Sequence, residues 1–387
     1  MQLEGILEQC RRLVEDVSFR SVAEWKKAHP GSKVIGCFPV YVPTELIAAA
    51  GMLPVAIFGA GGKIEIDHAD SRIQSFICSI ARSTLELGLA GYLKDFDGLI
   101  FPSICDVARN LSGIAQRNFP GLWVEYLHLP QNVNSPAAVS YYRGELERVR
   151  AKLERMSGKA IPSHSLRAAI HEFNENRSLM RRLYAMRAAA PGKLKSSELY
   201  LLVRAGALLP KSEHNALLKL VLPLIEGRQE KLRDNIRVIV EGAFCEQPPL
   251  EMLEVLEEAG CYMVDDDFLR GLRFFAGDIS EEGDPLDGLA RGYLEQSVVS
   301  SVMHPGSRDR GQALVERVRR LKADGVVFAS PKFCEPALYD YVLMKGALER
   351  EQIPYLQFEY EEKTSAFENI RSQMETFIES ILFFSAT

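Results

Sequence analysis

Short apolar runs alternate with amphipathic stretches through the first third of the chain. Runs rich in β-branched residues predict strands, and apolar residues at every third or fourth position predict helices. Because the strands are separated by helices, the pattern predicts right-handed βαβ units and a parallel sheet. The predicted strands are Val34–Phe38, Pro54–Phe58, Leu99–Phe101 and Leu122–Leu127, and the predicted helices are Thr44–Ala50, Ser71–Leu89 and Asp106–Asn118.

The middle of the chain has a helical pattern almost throughout, with breaks at Pro162, Pro191 and Pro210. From Ile236 the alternation of strand and helix returns. The predicted strands of this part are Ile236–Val240, Cys261–Val264, Val326–Phe328 and Tyr355–Phe358, and the predicted helices are Pro249–Ala259, Gly311–Ala323, Ala337–Arg350 and one from about Ser365.

One segment occurs twice, as DGLIFPSIC over 97–105 and as DGVVFASPKFC over 324–334. Each copy is an acidic-glycine turn, an apolar strand and a loop that ends in a cysteine. The order of strand, glycine–cysteine loop, proline, helix and strand also repeats, over 34–55 and 238–264. We therefore predict an α/β protein of two Rossmann-like parallel-sheet half-domains related by internal duplication. The predicted boundaries are 1–136 for the first α/β domain, 137–235 for a helical insertion, and 236–387 for the second α/β domain with its C-terminal helix.

Charge and hydropathy exclude several classes of partner. The net charge of −6 argues against nucleic acid or an anionic membrane as the main partner. No apolar run reaches the ~18 residues of a membrane span, and the acidic start of the chain does not resemble a signal peptide. We therefore expect a cytoplasmic protein.

Seven widely spaced cysteines, an odd number, argue against a disulfide framework. Cys105 and Cys334 each follow the carboxyl end of a predicted strand, where α/β clefts bind ligands. Cys78 lies in the helix that precedes the Cys105 strand, and free N–H groups would favour its thiolate if that helix begins one turn later. The chain has no C-x-x-C pair, so a structural zinc site or a small ferredoxin is not indicated.

The remaining cysteines have ordinary explanations. Cys37 and Cys245 also follow strands and can either line the same cleft or fill the core as small residues. Cys10 and Cys261 are predicted to be structural. If every thiol is buried core, the chain is a non-catalytic scaffold, which remains an alternative.

Other candidate sites are weaker. The run FGAGGK over 58–63 resembles a phosphate loop, but no Ser or Thr follows its lysine, and a glycine-rich turn is the better account. Asp265, Asp266 and Asp267 are predicted to form a solvated acidic loop in preference to a metal site. Glu45 and Tyr41 follow the first strand and are candidate catalytic proton donors, although Glu45 can instead stabilise a helix N-terminus.

The run YVPTELIAAAGMLPV over 41–55, with CDVAR over 105–109 and KFCEP over 332–336, resembles the benzoyl-CoA reductase and 2-hydroxyacyl-CoA dehydratase family. The resemblance extends from about residue 30 to the last helix. Within the family, the chain is most similar to the smaller cluster-bearing subunit of ATP-dependent benzoyl-CoA reductases.

This resemblance implies a [4Fe–4S] cluster bound by three cysteines, which correspond to Cys78, Cys105 and Cys334. It also implies a homologous cluster-bearing subunit as partner, ATP-hydrolysing iron–sulfur subunits, and ferredoxin as electron donor. Benzoyl-CoA would be the substrate, and its ring would be reduced to a cyclic diene in anaerobic benzoate degradation. The alternative within the family is a subunit of a 2-hydroxyacyl-CoA dehydratase.

Overall fold

Two parallel sheets with flanking helices make up the fold of the computed structural model. The structure describes residues 2–230, 233–243, 245–267, 276–298, 300–304, 309–363 and 367–385. The strands are β1 (Val34–Cys37), β2 (Leu53–Ala56), β3 (Gly98–Pro102), β4 (Trp123–Leu127), β5 (Ile236–Glu241), β6 (Cys261–Asp266), β7 (Gly325–Pro331) and β8 (Tyr355–Tyr360).

Fourteen α-helices lie within the described residues. They are α1 (Leu3–Glu15), α2 (Arg20–Ala28), α3 (Thr44–Ala49), α4 (Ser79–Leu89), α5 (Asp106–Asn118), α6 (Ala138–Ser157), α7 (Ser163–Ala189), α8 (Ser196–Ala205), α9 (Lys211–Glu226), α10 (Leu250–Glu258), α11 (Pro285–Gln296), α12 (Arg310–Leu321), α13 (Glu335–Arg350) and α14 (Glu368–Ser385).

The two sheets have the same strand order. The first is β2-β1-β3-β4 and the second is β6-β5-β7-β8, and every described pairing is parallel. The strand order therefore reverses direction between β1 and β3 and again between β5 and β7, and crevices at such switch points bind ligands in α/β folds. The predicted α/β class with two parallel half-domains is confirmed.

The repeated Asp-Gly pair has the same physical role in both sheets. Asp97 accepts a hydrogen bond from the Val34 N–H at 2.9 Å, and Asp324 accepts one from the Arg237 N–H at 2.7 Å. Each aspartate thus ties the start of the third strand of its sheet to the start of the first. A Cβ atom on Gly98 or Gly325 would lie 2.8 Å from an aromatic ring, so both positions require glycine.

The helices between the sheets divide among two large cores. Helix α6 and the first half of α7 pack on the first sheet, while α8, α9 and the second half of α7 belong to the core of the second sheet. Helix α1 also packs in this second core, against α8. The predicted prolines mark helix ends, since Pro162 and Pro210 are the N-cap residues of α7 and α9.

Two helix predictions differ from the structure. The helix predicted over Ser71–Leu89 begins only at Ser79, because 69–71 form a separate 3-10 turn. Helix α11 was not predicted, and its Gly288 and Gly292 explain why, since both weaken a helical pattern. They pack closely instead, because a Cβ on Gly292 would lie 2.1 Å from Ile279. None of the helices in the described ranges is long and apolar enough to cross a bilayer.

Candidate functional site

Cys105 and Cys334 occupy equivalent positions in the two halves. Each lies shortly beyond the third strand of its sheet and is the N-cap residue of the helix that follows, α5 or α13. The Cys105 sulfur accepts a hydrogen bond from the Ala108 N–H at 3.4 Å. The duplicated strand therefore delivers both thiols to helix N-termini, where unpaired N–H groups favour negative charge.

Cys78 is also an N-cap residue, at the start of α4. The later helix start places its thiol beside the first turn, which is the condition for a favoured thiolate. Three helices from different places in the chain thus begin at Cys78, Cys105 and Cys334. Their aligned peptide dipoles give each start a partial positive charge.

The structure brings these three thiols together. The pKa of Cys78 is raised well above its usual range, mainly by burial and further by the charges of Glu246, Cys334 and Cys105. Burial also raises the pKa of Cys105 to about 11, and the charge of Cys334 adds to this shift. Mutual effects of this kind require sulfur atoms that lie within electrostatic reach of one another across the two halves.

The thiols are not arranged around a single ion. Within the described part of the chain, no group of three or more His, Cys, Asp or Glu side chains is placed to hold one metal ion. Each cysteine of a multi-iron cluster binds a different iron, so its sulfurs need to converge without meeting at one point.

A fourth thiol, that of Cys245, faces the same place. Cys245 lies in the loop between β5 and α10, is buried, and hydrogen-bonds to the thiol of Cys334. This bond and burial raise the pKa of Cys245, and the charges of Cys78 and Cys105 raise it further. In the sequence, Cys37 and Cys245 both follow a predicted strand and could not be told apart. In the structure, Cys37 is the last residue of β1 and not part of a loop.

Glu246 is a buried acid that sequence reasoning missed. Its Oε2 accepts a hydrogen bond from the Ile80 N–H at 3.2 Å, in the first turn of α4, while its Oε1 has no hydrogen-bond partner in the described structure. Burial, and then the charge of Glu362, raise the pKa of Glu246 well above its usual range. The sequence offered one indication that Glu246 belongs to the site: it directly follows Cys245 and lies two residues before Pro248.

The other cysteines are core residues. The thiol of Cys37 contacts the carbonyl of Ile35 at 3.6 Å, and the thiol of Cys261 contacts that of Leu256 at 3.0 Å. Cys10 of α1 lies in the core of the second sheet, and burial raises the pKa of its thiol to about 11.

Glu45 and Tyr41 line a different cavity. This cavity has a volume of about 100 Å³ and includes Arg177, Tyr142 and Tyr293, but none of the cysteines among its described lining residues. Glu45 forms a buried ion pair with Arg177 of α7, and the Tyr41 ring packs edge-on against Tyr293. Tyr41 has a φ of 60°, an uncommon conformation for a tyrosine.

The acidic run at the end of β6 is buried, and the prediction of a solvated loop is wrong. Asp266 and Asp267 are 0% exposed. Arg187 pairs with Asp266 at 2.7 Å, and Arg317 pairs with Asp265 at 2.9 Å. The arginines come from α7 and α12, so the cluster fixes helices to the carboxyl edge of the second sheet.

The glycine-rich turn after β2 binds a carboxylate of the chain itself. Gly59, Gly61 and Gly62 all have positive φ, and no helix begins directly after them. The Gly62 N–H donates to the Glu362 carboxylate. The Ala60 N–H donates to the Ser83 hydroxyl at 3.1 Å, and this hydroxyl donates to the same carboxylate at 3.0 Å. These donors are therefore occupied, which agrees with the expected glycine-rich turn.

An exposed apolar surface adjoins the thiol site. Helix α13 shows one row of apolar side chains to solvent, here named the α13 face. It consists of Leu338, Tyr339, Val342 and Leu343, of which Tyr339 and Val342 are 66% and 65% exposed. Phe333, which directly precedes Cys334, and Phe76, two residues before Cys78, are also exposed. Apolar groups concentrated in this way typically mark a protein contact.

Comparison with known proteins identifies relatives along the whole chain. The family described as "2-hydroxyglutaryl-CoA dehydratase, D-component" matches residues 39–381. A benzoyl-CoA reductase subunit of Thauera aromatica is 43% identical, over 100% of both chains. Lactoyl-CoA dehydratase subunit beta of Anaerotignum propionicum is 30% identical, over 98% of this chain and 100% of its own. The subunit beta of (R)-2-hydroxyglutaryl-CoA dehydratase from Acidaminococcus fermentans is 28% identical, over the same shares.

The family profile covers most of the chain, including Cys78, Cys105 and Cys334, and the resemblance seen in the sequence is confirmed. This chain therefore belongs to the 2-hydroxyglutaryl-CoA dehydratase D-component family and is similar over its whole length to a benzoyl-CoA reductase subunit.

Proposed function

We propose that this chain is the iron–sulfur subunit of an ATP-dependent benzoyl-CoA reductase. In this role it relays low-potential electrons from an ATP-hydrolysing partner to the aromatic ring of benzoyl-CoA, which becomes a cyclic dienoyl-CoA. The observation that carries the proposal is the convergence of Cys78, Cys105 and Cys334 at three helix N-termini. The 43% identity to a benzoyl-CoA reductase subunit supports the choice of reaction.

The residues present fit a [4Fe–4S] cluster. Thiolates are the ligands that iron–sulfur clusters require, and the three cysteines are buried or half-buried among apolar residues of one core. Without a metal, burial and mutual repulsion raise the pKa values of Cys78 and Cys105. A cationic iron core compensates such repulsion, and ligand binding then releases the thiol protons.

A [4Fe–4S] group bound here supplies one-electron transfer at low potential. The chain's own residues would control the surroundings. The N–H groups at the starts of α4, α5 and α13 would stabilise the anionic thiolates, and apolar neighbours such as Ile104 and Ala337 would exclude water. A dry site also limits wasteful proton reduction.

The proposed partners are a homologous cluster-bearing subunit, ATP-hydrolysing iron–sulfur subunits, and ferredoxin as the source of electrons, all in the cytoplasm. The candidate phosphate loop of this chain already binds Glu362, which supports ATP hydrolysis on another subunit. The α13 face would contact the homologous subunit, because obligate interfaces are more apolar than transient contacts with an electron donor.

Tyr41 and Glu45 remain the proposed proton donors, with Arg177 as the residue that positions Glu45. Tyr41→Phe removes the phenol proton while it keeps the ring contact with Tyr293. We expect this variant to form product more slowly, by about 10²-fold or more, without losing iron. An unchanged rate would remove Tyr41 from the mechanism.

The direct test is anaerobic co-purification of the chain with its neighbouring subunits. We expect about four iron and four sulfide per copy of this chain, as one cluster requires. The complex should then reduce benzoyl-CoA in the presence of ATP and a strong reductant. A colourless, metal-free chain would instead favour the scaffold alternative.

A 2-hydroxyacyl-CoA dehydratase subunit is the second candidate, because the relatives at 30% and 28% identity are named as subunits of lactoyl-CoA dehydratase and (R)-2-hydroxyglutaryl-CoA dehydratase. The two reactions differ in their use of ATP. A reductase consumes ATP with every product molecule, whereas a dehydratase recycles its electron and needs ATP only to begin turnover. The ratio of ATP hydrolysed to product formed therefore separates them.

A further inference from the structure

The loop that carries Cys245 packs in a different hydrophobic core from the strand that precedes it. Strand β5 contributes Val238 and Val240 to the core of the second sheet. Ala243 and Cys245, which follow the same strand, belong instead to the core that contains Cys78 and Cys334. Because β5 and β7 are adjacent and parallel, the loops of Cys245 and Cys334 also emerge at the same sheet edge.

The contact made by the Cys245 thiol differs from those of the core cysteines. The thiols of Cys37 and Cys261 are satisfied by backbone carbonyls. That of Cys245 bonds to the thiol of Cys334 and lies within electrostatic reach of Cys78 and Cys105. The four thiols therefore interact pairwise, and the buried carboxyl of Glu246 acts on the same group through Cys78.

We propose that Cys245 is the fourth cysteine ligand of the cluster. This inference rests on the proposed function, since it concerns the group that the other three cysteines would hold. Cys245 would bind the remaining iron as a thiolate, with its proton released to solvent. Cys78, Cys105, Cys245 and Cys334 would then hold the group together, and the group would supply electron transfer without an iron open to substrate.

The test compares Cys245→Ser with Cys261→Ser, a matched change of another buried thiol in the same half. Each full-length chain is purified anaerobically, and its iron content and paramagnetic resonance spectrum are recorded before and after mild oxidation with ferricyanide. We expect the wild type and Cys261→Ser to keep about four irons. Cys245→Ser should lose one iron and show the signal of a three-iron cluster. A Cys245→Ser protein that behaves like the wild type would overturn the proposal.

A second measurement needs no variant and covers the case in which Cys245→Ser does not fold. Cyanide binds an iron that lacks a protein ligand, so it should leave the spectrum of the reduced wild-type cluster unchanged. A cyanide-dependent shift would mean that one iron is open and that Cys245 is not a ligand. A wild-type chain without any cluster would reject the proposed function itself, which is a different result from either of these.

Discussion

Helices α5 and α13 occupy equivalent places in the two halves, yet they present different surfaces. Each is capped by a cysteine and follows the third strand of its sheet. The exposed residues of α5 beyond its first turn include Asn110, Gln116 and Arg117, which are all polar. Those of α13 form the apolar α13 face. The two halves therefore share a thiol at the start of the helix after the third strand, while the outer surface of that helix is polar in one half and apolar in the other.

The residues beside the two sheets also differ in charge and number. Beside the first sheet, one buried pair, Glu45 with Arg177, lies among tyrosines. At the end of the second sheet, Asp265, Asp266 and Glu241 meet several arginines. The halves therefore resemble each other in backbone and in one thiol each, and differ in the chemistry of the surrounding loops.

The largest effect should come from the equivalent thiols. Cys105→Ser and Cys334→Ser should each remove most of the iron, because a ligand from either half is needed to hold the cluster. Iron and sulfide analysis of anaerobically purified protein measures this, with Cys37→Ser as the matched control. Full iron content in either variant would show that the two cysteines do not have the same function in the two halves.

Next in size is the buried ion cluster of the second half. Arg317→Met leaves Asp265 with only the longer contact to Arg187, at 3.9 Å, and leaves Glu241 with Arg310 alone. Breaking buried pairs in this way costs about 3–5 kcal/mol. Arg319→Met, on the same helix, removes only an exposed pair with Glu351, worth about 0–1 kcal/mol. Urea unfolding measures both. Equal losses would show that the cluster adds no stability.

The α13 face should matter for association and not for folding. Val342→Asp should weaken binding to the homologous subunit by about 2 kcal/mol or more, a change of over tenfold, if it lies in the interface centre. Asn110→Asp on α5 is the matched control and should change binding little. Co-purification yields compare the two. Unfolding midpoints and iron content should stay constant in both variants, and unchanged binding by Val342→Asp would contradict the proposed contact.

The smallest effect concerns Glu362, which joins the second half to the first. It accepts a hydrogen bond from Ser83 at 3.0 Å, and burial raises its pKa to about 7. Between the ordinary glutamate pKa of about 4.5 and this value, the native state keeps a proton that the unfolded chain loses. Its contribution to stability therefore falls as the pH rises through this window.

Glu362→Gln should remove that pH dependence. The variant should lose less stability than the wild type between pH 5 and pH 8, because an amide has no proton to release. Groups that do not interact with Glu362, such as His214, contribute equally to both proteins and cancel in the difference. Glu246 does not cancel, because the charge of Glu362 raises its pKa, so its titration is part of the measured difference. Parallel slopes for the two proteins would show that Glu362 is ionised in the native state.

The sequence predicted the sheets well because their signals are local. All eight strands lie where apolar β-branched runs occur, and α5 has the predicted bounds of Asp106–Asn118. Cys105 and Cys334 could be paired from the repeat alone, since equivalent strands deliver equivalent loops. Cys78 could be assigned only through the resemblance to the family, because its helix pattern has no clear start.

The features that were not predicted depend on distant residues. Asp265–Asp267 look like a surface loop until arginines from α7 and α12 are placed against them. Cys37 and Cys245 have nearly the same local pattern, and only tertiary packing separates a core thiol from one that faces three others. Helix α11 depends on glycines that weaken the local signal but allow close packing.

Cys78 and Cys105 come from one half of the molecule, and Cys334 from the other. Any inorganic centre bound by all three would therefore cross-link the two halves, each of which has its own sheet. Oxygen damage to that centre would remove a cross-link as well as a redox group. Exposure to air should then increase cleavage by protease where the halves meet, so the oxygen sensitivity of such a protein would be mechanical as well as chemical.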